Sequence, residues 1–222
     1  TVLAGALVGA KIFLTDGNSR KGASKNFWTL DLAQREKGKD DFQWKILPPW
    51  DGPARTHHLA VAQNDGFEEC LFIFSGRQKN TDRWELHHDA HKYSPKKKQW
   101  TKLKDIREKG DKQARCVMAG TTAAWGANHV LVFGGADGER FLKLTSDLPK
   151  EEKLQILKTH NGFSRDVLLY NCVTDRWVVY DQFPEGRRLG NETVATGSHA
   201  TTVAVKWGDA VFIPSGETSP GV

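Results

Sequence analysis

Short, mostly apolar runs that end at a pair of small residues recur four times along the chain. The runs lie at residues 11–15, 70–74, 130–133 and 210–214, and the second residue of each following pair is glycine. Apolar runs of this length between turn residues are typical of buried β-strands. Glycine suits the turn because it accepts positive φ and close backbone approach. The four glycines are Gly17, Gly76, Gly135 and Gly216, of which the first three are evenly spaced.

Tyrosine and tryptophan supply a second repeated signal. Tyr93 precedes Trp100 by the same step by which Tyr170 precedes Trp177, and Trp44 is the counterpart in the first unit. Four short strands per unit are typical of a propeller blade, with these rings packed between neighbouring blades. The predicted strands are 3–8, 11–15, 27–32 and 42–47; 57–62, 70–74, 91–93 and 99–103; 117–125, 130–133, 167–170 and 176–180; and 199–207 and 210–214.

The repeat resembles the Kelch repeat over nearly the whole chain. The expected fold is an all-β Kelch-type β-propeller, in one domain with blades at about 1–50, 51–105 and 112–182 and a half-blade at 193–222. Propellers have about four to eight blades, so three and a half would not close a ring. We therefore expect the sequence to begin inside one blade and to stop inside another.

The interval before the last glycine is longer because of an insertion, which predicts a helical segment near 141–165. Cap residues, Pro149 and two following acids indicate a helix start after Ser146, and Asn161-Gly162 indicates its end. The glycine-rich residues 134–138 follow a strand, but no helix is predicted directly after them. They therefore do not match a phosphate-binding loop.

Composition excludes several classes of function. The 222 residues are 38% hydrophobic and 27% charged, as in a folded protein. No apolar run reaches the roughly 18 residues of a membrane span, so membrane insertion is not expected. The net charge of +5 favours anionic ligands, but its charges are too scattered to indicate nucleic acid binding.

Neither cysteines nor histidines predict a metal site. The three cysteines, Cys70, Cys116 and Cys172, are widely spaced beside apolar runs and are expected to be buried. The stretch containing His87, His88 and His91 is expected to be a surface connection without a coordination pattern.

The repeat also nominates residues around the propeller axis. The residue after each glycine pair should lie in equivalent loops at one end of the channel, and these residues are Asn18, Arg77, Ala136 and Glu217. The starts of the innermost strands should align His57, Ala119 and His199. Both histidines are either ligand contacts or hydrogen-bond partners of a neighbouring loop.

Residues 216–221 resemble the Gly-Glu-x-x-Pro-Gly-x-Arg motif of bacterial N-acetylneuraminate epimerases, which are six-bladed Kelch propellers. Residues 118–120, the strand 130–133 with its glycine pair, and the insertion followed by 166–170 and 175–177 are also similar to that family. The blade order resembles its cyclically permuted branch. The motif arginine would fall one position after Val222.

The resemblance implies an isomerase in which Glu217 removes a proton from the anomeric hydroxyl of the α-sugar. The ring opens, the keto group rotates and the ring closes as the β-anomer. The resemblance implies no cofactor and no metal. From their positions, Arg77 and Arg165 could each bind the sugar carboxylate, or each could form a surface ion pair.

Three functions remain open at this point: an isomerase of sialic acid or a related acidic sugar, a non-catalytic Kelch propeller that binds a protein or glycan, and an enzyme acting on another sugar. A homo-oligomer and a fused transporter domain are also open. The resemblance favours a periplasmic or otherwise exported protein, although no signal peptide is visible.

Overall fold

The computed structural model describes residues 3–15, 17–19, 22–38, 41–160, 162–183, 187–189, 192–194 and 198–218. In this part of the chain, strands form three four-stranded antiparallel sheets and several two-stranded hairpins. The first part contains β1 (Ala4–Val8), β2 (Lys11–Thr15), β3 (Asn18–Ser19), β4 (Gly22–Ala23), β5 (Phe27–Asp31) and β6 (Lys45–Leu47), with a 3₁₀ helix at Leu32–Lys37. Sheet one has the strand order β1-β2-β5-β6.

The next two sheets repeat this order. Sheet two consists of β7 (Leu59–Asn64), β8 (Glu69–Lys79), β9 (Trp84–Ser94) and β10 (Gln99–Lys102). Sheet three consists of β11 (Thr121–Trp125), β12 (His129–Phe133), β13 (Asp166–Asn171) and β14 (Arg176–Gln182), with helices α1 (Glu139–Thr145) and α2 (Lys150–Lys158) inserted between β12 and β13. The remaining hairpins are β15 (Arg187–Leu189) with β16 (Glu192–Val194), and β17 (Val205–Trp207) with β18 (Ala210–Phe212).

The first strands of successive units contact one another in chain order. Strand β1 contacts β7, β7 contacts β11, and β11 contacts β17. The units are therefore arranged around a common axis with these strands innermost, as in a propeller. The expected all-β, propeller-like architecture with a helical insertion is confirmed.

Strand β8 shows why the second apolar run is uninterrupted. Successive side chains of a strand point to opposite faces. Leu71 and Ile73 pack in the core between sheets one and two, whereas Phe72 and Phe74 pack in the core between sheets two and three. Both faces are buried, so every position in the run is apolar.

The aromatic rings of the second and third units lie between the sheets, as predicted, whereas Trp44 of the first unit is 46% exposed, so its predicted packing was wrong. Trp100 of sheet two lies 5.0 Å from Phe27 of sheet one, measured between ring centroids. Trp177 of sheet three occupies the corresponding place, 5.1 Å from Phe74 of sheet two. The evenly spaced Tyr and Trp residues of these two units thus form contacts between blades.

Two local predictions were wrong. Helix α1 begins at Glu139, directly after the glycine-rich residues 134–138, where no helix was expected. The supposed surface connection with three histidines belongs to β9, and His87 and His91 are buried there. Helix α1 and the outer part of β9 extend past the regular sheets, where packing between units fixes the backbone, whereas His91 lies within sheet two.

Candidate functional site

Backbone hydrogen bonds place one residue from each of the last three units at the same level around the axis. Three isolated antiparallel bridges join Thr56 to Arg77, Met118 to Ala136 and Ala200 to Glu217. Two further bonds connect the units, from the Ala119 amide to the His57 carbonyl (2.9 Å) and from the Thr201 amide to the Ala119 carbonyl (2.7 Å). Residues 77, 136 and 217 therefore occupy equivalent positions, as the glycine pairs predicted.

The same bonds correct the predicted position of His199. The residue equivalent to His57 and Ala119 is Thr201, and all three have positive φ values between 57° and 59°. His199 lies two residues earlier, where its carbonyl accepts a hydrogen bond from the Gly135 amide. Matching the repeats by residue type pairs His199 with His57, whereas the backbone hydrogen bonds pair Thr201 with that position.

A cavity of about 940 Å³ opens at this end of the axis. Arg77, Ala136 and Glu217 all line it, and so does His57. Helix α1, the segment after α2 and residues 113–119 contribute further parts of the wall. The cavity is large enough for a small ligand such as a sugar.

Arg77 presents a guanidinium group to the cavity. Its carbon Cζ lies 3.9 Å from the ring centroid of Phe141 and 5.0 Å from that of Trp84. Its Nη2 donates to Nε2 of His57 at 3.3 Å. Burial lowers the pKa of Arg77, since a cation loses hydration there. Among the described residues no carboxylate lies within ion-pair distance of it.

His57 is held as a neutral imidazole. Burial and then the positive charge of Arg77 lower its pKa to about 4. Because Nε2 accepts from Arg77, the proton is assigned to Nδ1, which lies 3.0 Å from Oγ1 of Thr56. The three side chains form one hydrogen-bonded group at the cavity wall.

Glu217 is fixed through its backbone. Its amide and carbonyl both pair with Ala200, at 3.0 Å each, which directs the residue into the ring of equivalent positions. Its side chain is half-buried and lines the cavity. Both backbone bonds to Ala200 hold the residue at the cavity wall.

Two other predicted site residues, Arg165 and His199, are not gathered in this cavity. Nε and Nη2 of Arg165 donate to the carbonyl of Phe183 at 3.0 and 2.5 Å, so this guanidinium ties two segments together. Neither Arg165 nor His199 lines the cavity. The side chain of Asn18 lies outside the described part of the chain, and its backbone pairs with Ala23 in the hairpin β3-β4.

Sequence reasoning missed several residues of the cavity wall. Phe141, Arg140 and His160 come from the helical insertion, and Asp137 from the loop before it. Asp166 also faces the cavity, but its Oδ2 accepts from Arg115 at 2.6 Å. Spacing could have revealed Phe141 and Leu144, which lie on one helical face and both line the cavity.

Over the described ranges, no group of three or more histidine, cysteine, aspartate or glutamate side chains is placed to hold a metal ion. In the same ranges, no helix is both long and apolar enough to cross a membrane.

The architecture is that of known propellers. The solved structure of YjhT, a propeller, matches with a TM-score of 0.71 at 20% sequence identity, over 99% of this chain and 59% of that one. At this identity the likeness shows the fold. Innermost segments in register and a cavity at one end of the axis define a Kelch-like propeller architecture.

The family follows from sequence comparison. The profile of the family described as N-acetylneuraminate epimerase matches residues 3–221, and the chain belongs to that family. N-acetylneuraminate epimerase of Vibrio vulnificus (strain YJ016) is 24% identical over 98% of this chain and 53% of its own length. That of Salmonella paratyphi B (strain ATCC BAA-1250 / SPB7) is 22% identical over 90% and 49%. The chain thus spans about half the length of the curated relatives it matches.

Proposed function

We propose that the protein is a sugar isomerase that interconverts the α and β anomers of N-acetylneuraminate or a closely related acidic sugar. The observation that carries this proposal is that Arg77 and Glu217 occupy equivalent ring positions and face one cavity. Membership of the N-acetylneuraminate epimerase family supports the same reaction.

Glu217 is the proposed general base. Its carboxylate takes the proton from the anomeric hydroxyl, the bond between the ring oxygen and the anomeric carbon breaks, and the ring oxygen takes up a proton from solvent. After rotation of the keto group, the ring oxygen attacks from the other face and returns its proton to solvent, while the keto oxygen takes back the proton held by Glu217 and becomes the anomeric hydroxyl. The reaction consumes no co-reactant, and general base catalysis contributes about 10²–10⁴-fold.

Arg77 is the proposed binding group for the sugar carboxylate. Its planar guanidinium can donate two parallel hydrogen bonds to a carboxylate. It stands two units away from Glu217 around the axis, so both groups can reach one substrate from different sides. The absence of a carboxylate partner among the described residues leaves its charge for a ligand.

Proton NMR of anomer exchange tests this function. Freshly dissolved N-acetylneuraminate should relax from α to β faster with the protein than in buffer, whereas a neutral sugar such as N-acetylmannosamine should relax at its buffer rate. Equal rates with and without the protein for the acidic sugar would rule out this activity. Binding without faster exchange would favour the non-catalytic alternative.

A further inference from the structure

The guanidinium of Arg77 is enclosed by two aromatic rings from different units. Trp84 begins β9 of sheet two, and Phe141 belongs to α1, which sheet three contributes. The two rings meet edge to face, with centroids 5.0 Å apart and an interplanar angle of 76°. Arg77 lies 3.9 Å from one centroid and 5.0 Å from the other.

This arrangement depends on two features that extend past the regular sheets. Strands β8 and β9 continue as a hairpin in which Arg77 pairs with Leu86 and Lys79 with Trp84. Helix α1 packs on that hairpin so closely that a Cβ on Gly138 would lie 2.3 Å from Cδ1 of Leu86. The insertion is therefore seated directly on the strand pair that carries the arginine.

The surroundings of Arg77 favour a positioning role for the rings. A cation above an aromatic face is stabilised, most strongly where water is excluded. The Arg77 Nε is buried and has no hydrogen-bond partner within the described part of the chain. The aromatic faces thus hold the guanidinium and leave its charge unpaired, whereas an acidic side chain would neutralise it.

We propose that Phe141 and Trp84 are positioning residues that hold the Arg77 guanidinium in the cavity mouth as the binding group for the carboxylate of the substrate. The proposal rests on the proposed function, and it gives the helical insertion a role in substrate affinity. Phe141 acts through Arg77 and needs no contact with the reacting atoms.

The first test is the NMR signal of Arg77 Nε–H. Protons above the face of an aromatic ring resonate upfield, so Phe141→Leu should move this signal downfield and Phe141→Tyr should leave it near its original position. Phe163→Leu is a matched control, because this cavity-lining ring packs edge to face against His160. An Arg77 signal that is unchanged in Phe141→Leu would overturn the proposal.

The second test separates binding from chemistry. Phe141→Leu should raise KM for N-acetylneuraminate about two- to thirtyfold, the range of a cation–π contact, with kcat nearly unchanged. Phe141→Tyr should restore KM, and Leu154→Ala on α2, which does not line the cavity, should not alter it. In an Arg77→Lys background, Phe141→Leu should raise KM little further, because lysine lacks the planar group that stacks on the ring.

The outcomes distinguish this proposal from the function on which it rests. Loss of kcat at constant KM, or full additivity with Arg77→Lys, would overturn the positioning role. A wild-type protein that does not accelerate anomer exchange would overturn the proposed function, and the Arg77 signal would then decide the positioning role by itself.

Discussion

The buried ion pair between Arg55 and Asp89 predicts a large loss of stability for Asp89→Asn. Nη1 and Nη2 of Arg55 donate to the two carboxylate oxygens at 2.7 and 2.9 Å, and Nε2 of His91 lies 2.8 Å from Oδ2. The Arg55 side chain is 0% exposed and that of Asp89 17%. Arg55 directly precedes Thr56 and His57, so the pair also supports the cavity wall.

The magnitude follows from the burial of Arg55. Burial alone would raise the pKa of Asp89, but hydrogen bonds from His91 and Arg55 and the charge of Arg55 hold it well below its usual range. Asparagine keeps the shape and removes the charge, which leaves a buried guanidinium uncompensated. Breaking a buried pair in this way costs about 3–5 kcal/mol. For a domain of this size that corresponds to a decrease in Tm of roughly 6–20 °C.

Urea unfolding followed by tryptophan fluorescence measures the loss. Glu139→Gln provides the matched control, because it removes an acid from the exposed pair in which Lys143 Nζ lies 2.7 Å from Glu139. Exposed pairs contribute little, so the control should unfold like the wild type. If Asp89→Asn unfolded at the same urea concentration as the control, the buried pair would not have the importance assigned to it.

Two further predictions concern the cavity wall. Gly134→Ala should lower the free energy of unfolding by more than about 2 kcal/mol, because its Cβ would lie 2.1 Å from the carbonyl oxygen of His199. Gly126→Ala, with a similar φ of 56° and nothing within 4 Å, should cost about 1 kcal/mol in the same urea assay, and equal losses would contradict the close approach. The lowered pKa of His57 favours its neutral form in the fold, so the stability it contributes is complete above pH 6.5 and is lost as the pH falls towards 4. The Tm of the wild type minus that of His57→Gln should therefore decrease as the pH is lowered from 6.5 to 4. A difference that stays constant over this interval would contradict the burial of a neutral imidazole.

The repeat predicted the ring positions because they depend on local features. A buried strand followed by a glycine pair fixes where the chain turns, and the next residue then pairs with the innermost segment. This is why Arg77, Ala136 and Glu217 could be placed from the sequence. Their register needs no knowledge of how the units pack.

The rest of the site depends on contacts between units, which the sequence does not display. Helix α1 is preceded by Gly138 in a left-handed conformation, and its first amide donates to Asp137, one residue before the cap position, so it lacks the usual start signal. The polar outer part of β8 and β9 resembles a loop because it extends past the core. The stacking of Phe141 on Arg77 joins these two segments and could be seen only in three dimensions.

Glu217 is the proposed base for anomer exchange, and proton NMR of Glu217→Gln tests this role most directly. The variant should lower kcat for α-to-β exchange of N-acetylneuraminate by about 10²–10⁴-fold while the fold is retained. Asp137→Asn offers the comparison, since Asp137 is another acid of the same cavity and should be less important for kcat. If Glu217→Gln exchanged anomers at the wild-type rate, or if Asp137→Asn alone abolished the reaction, the assignment of Glu217 would be wrong.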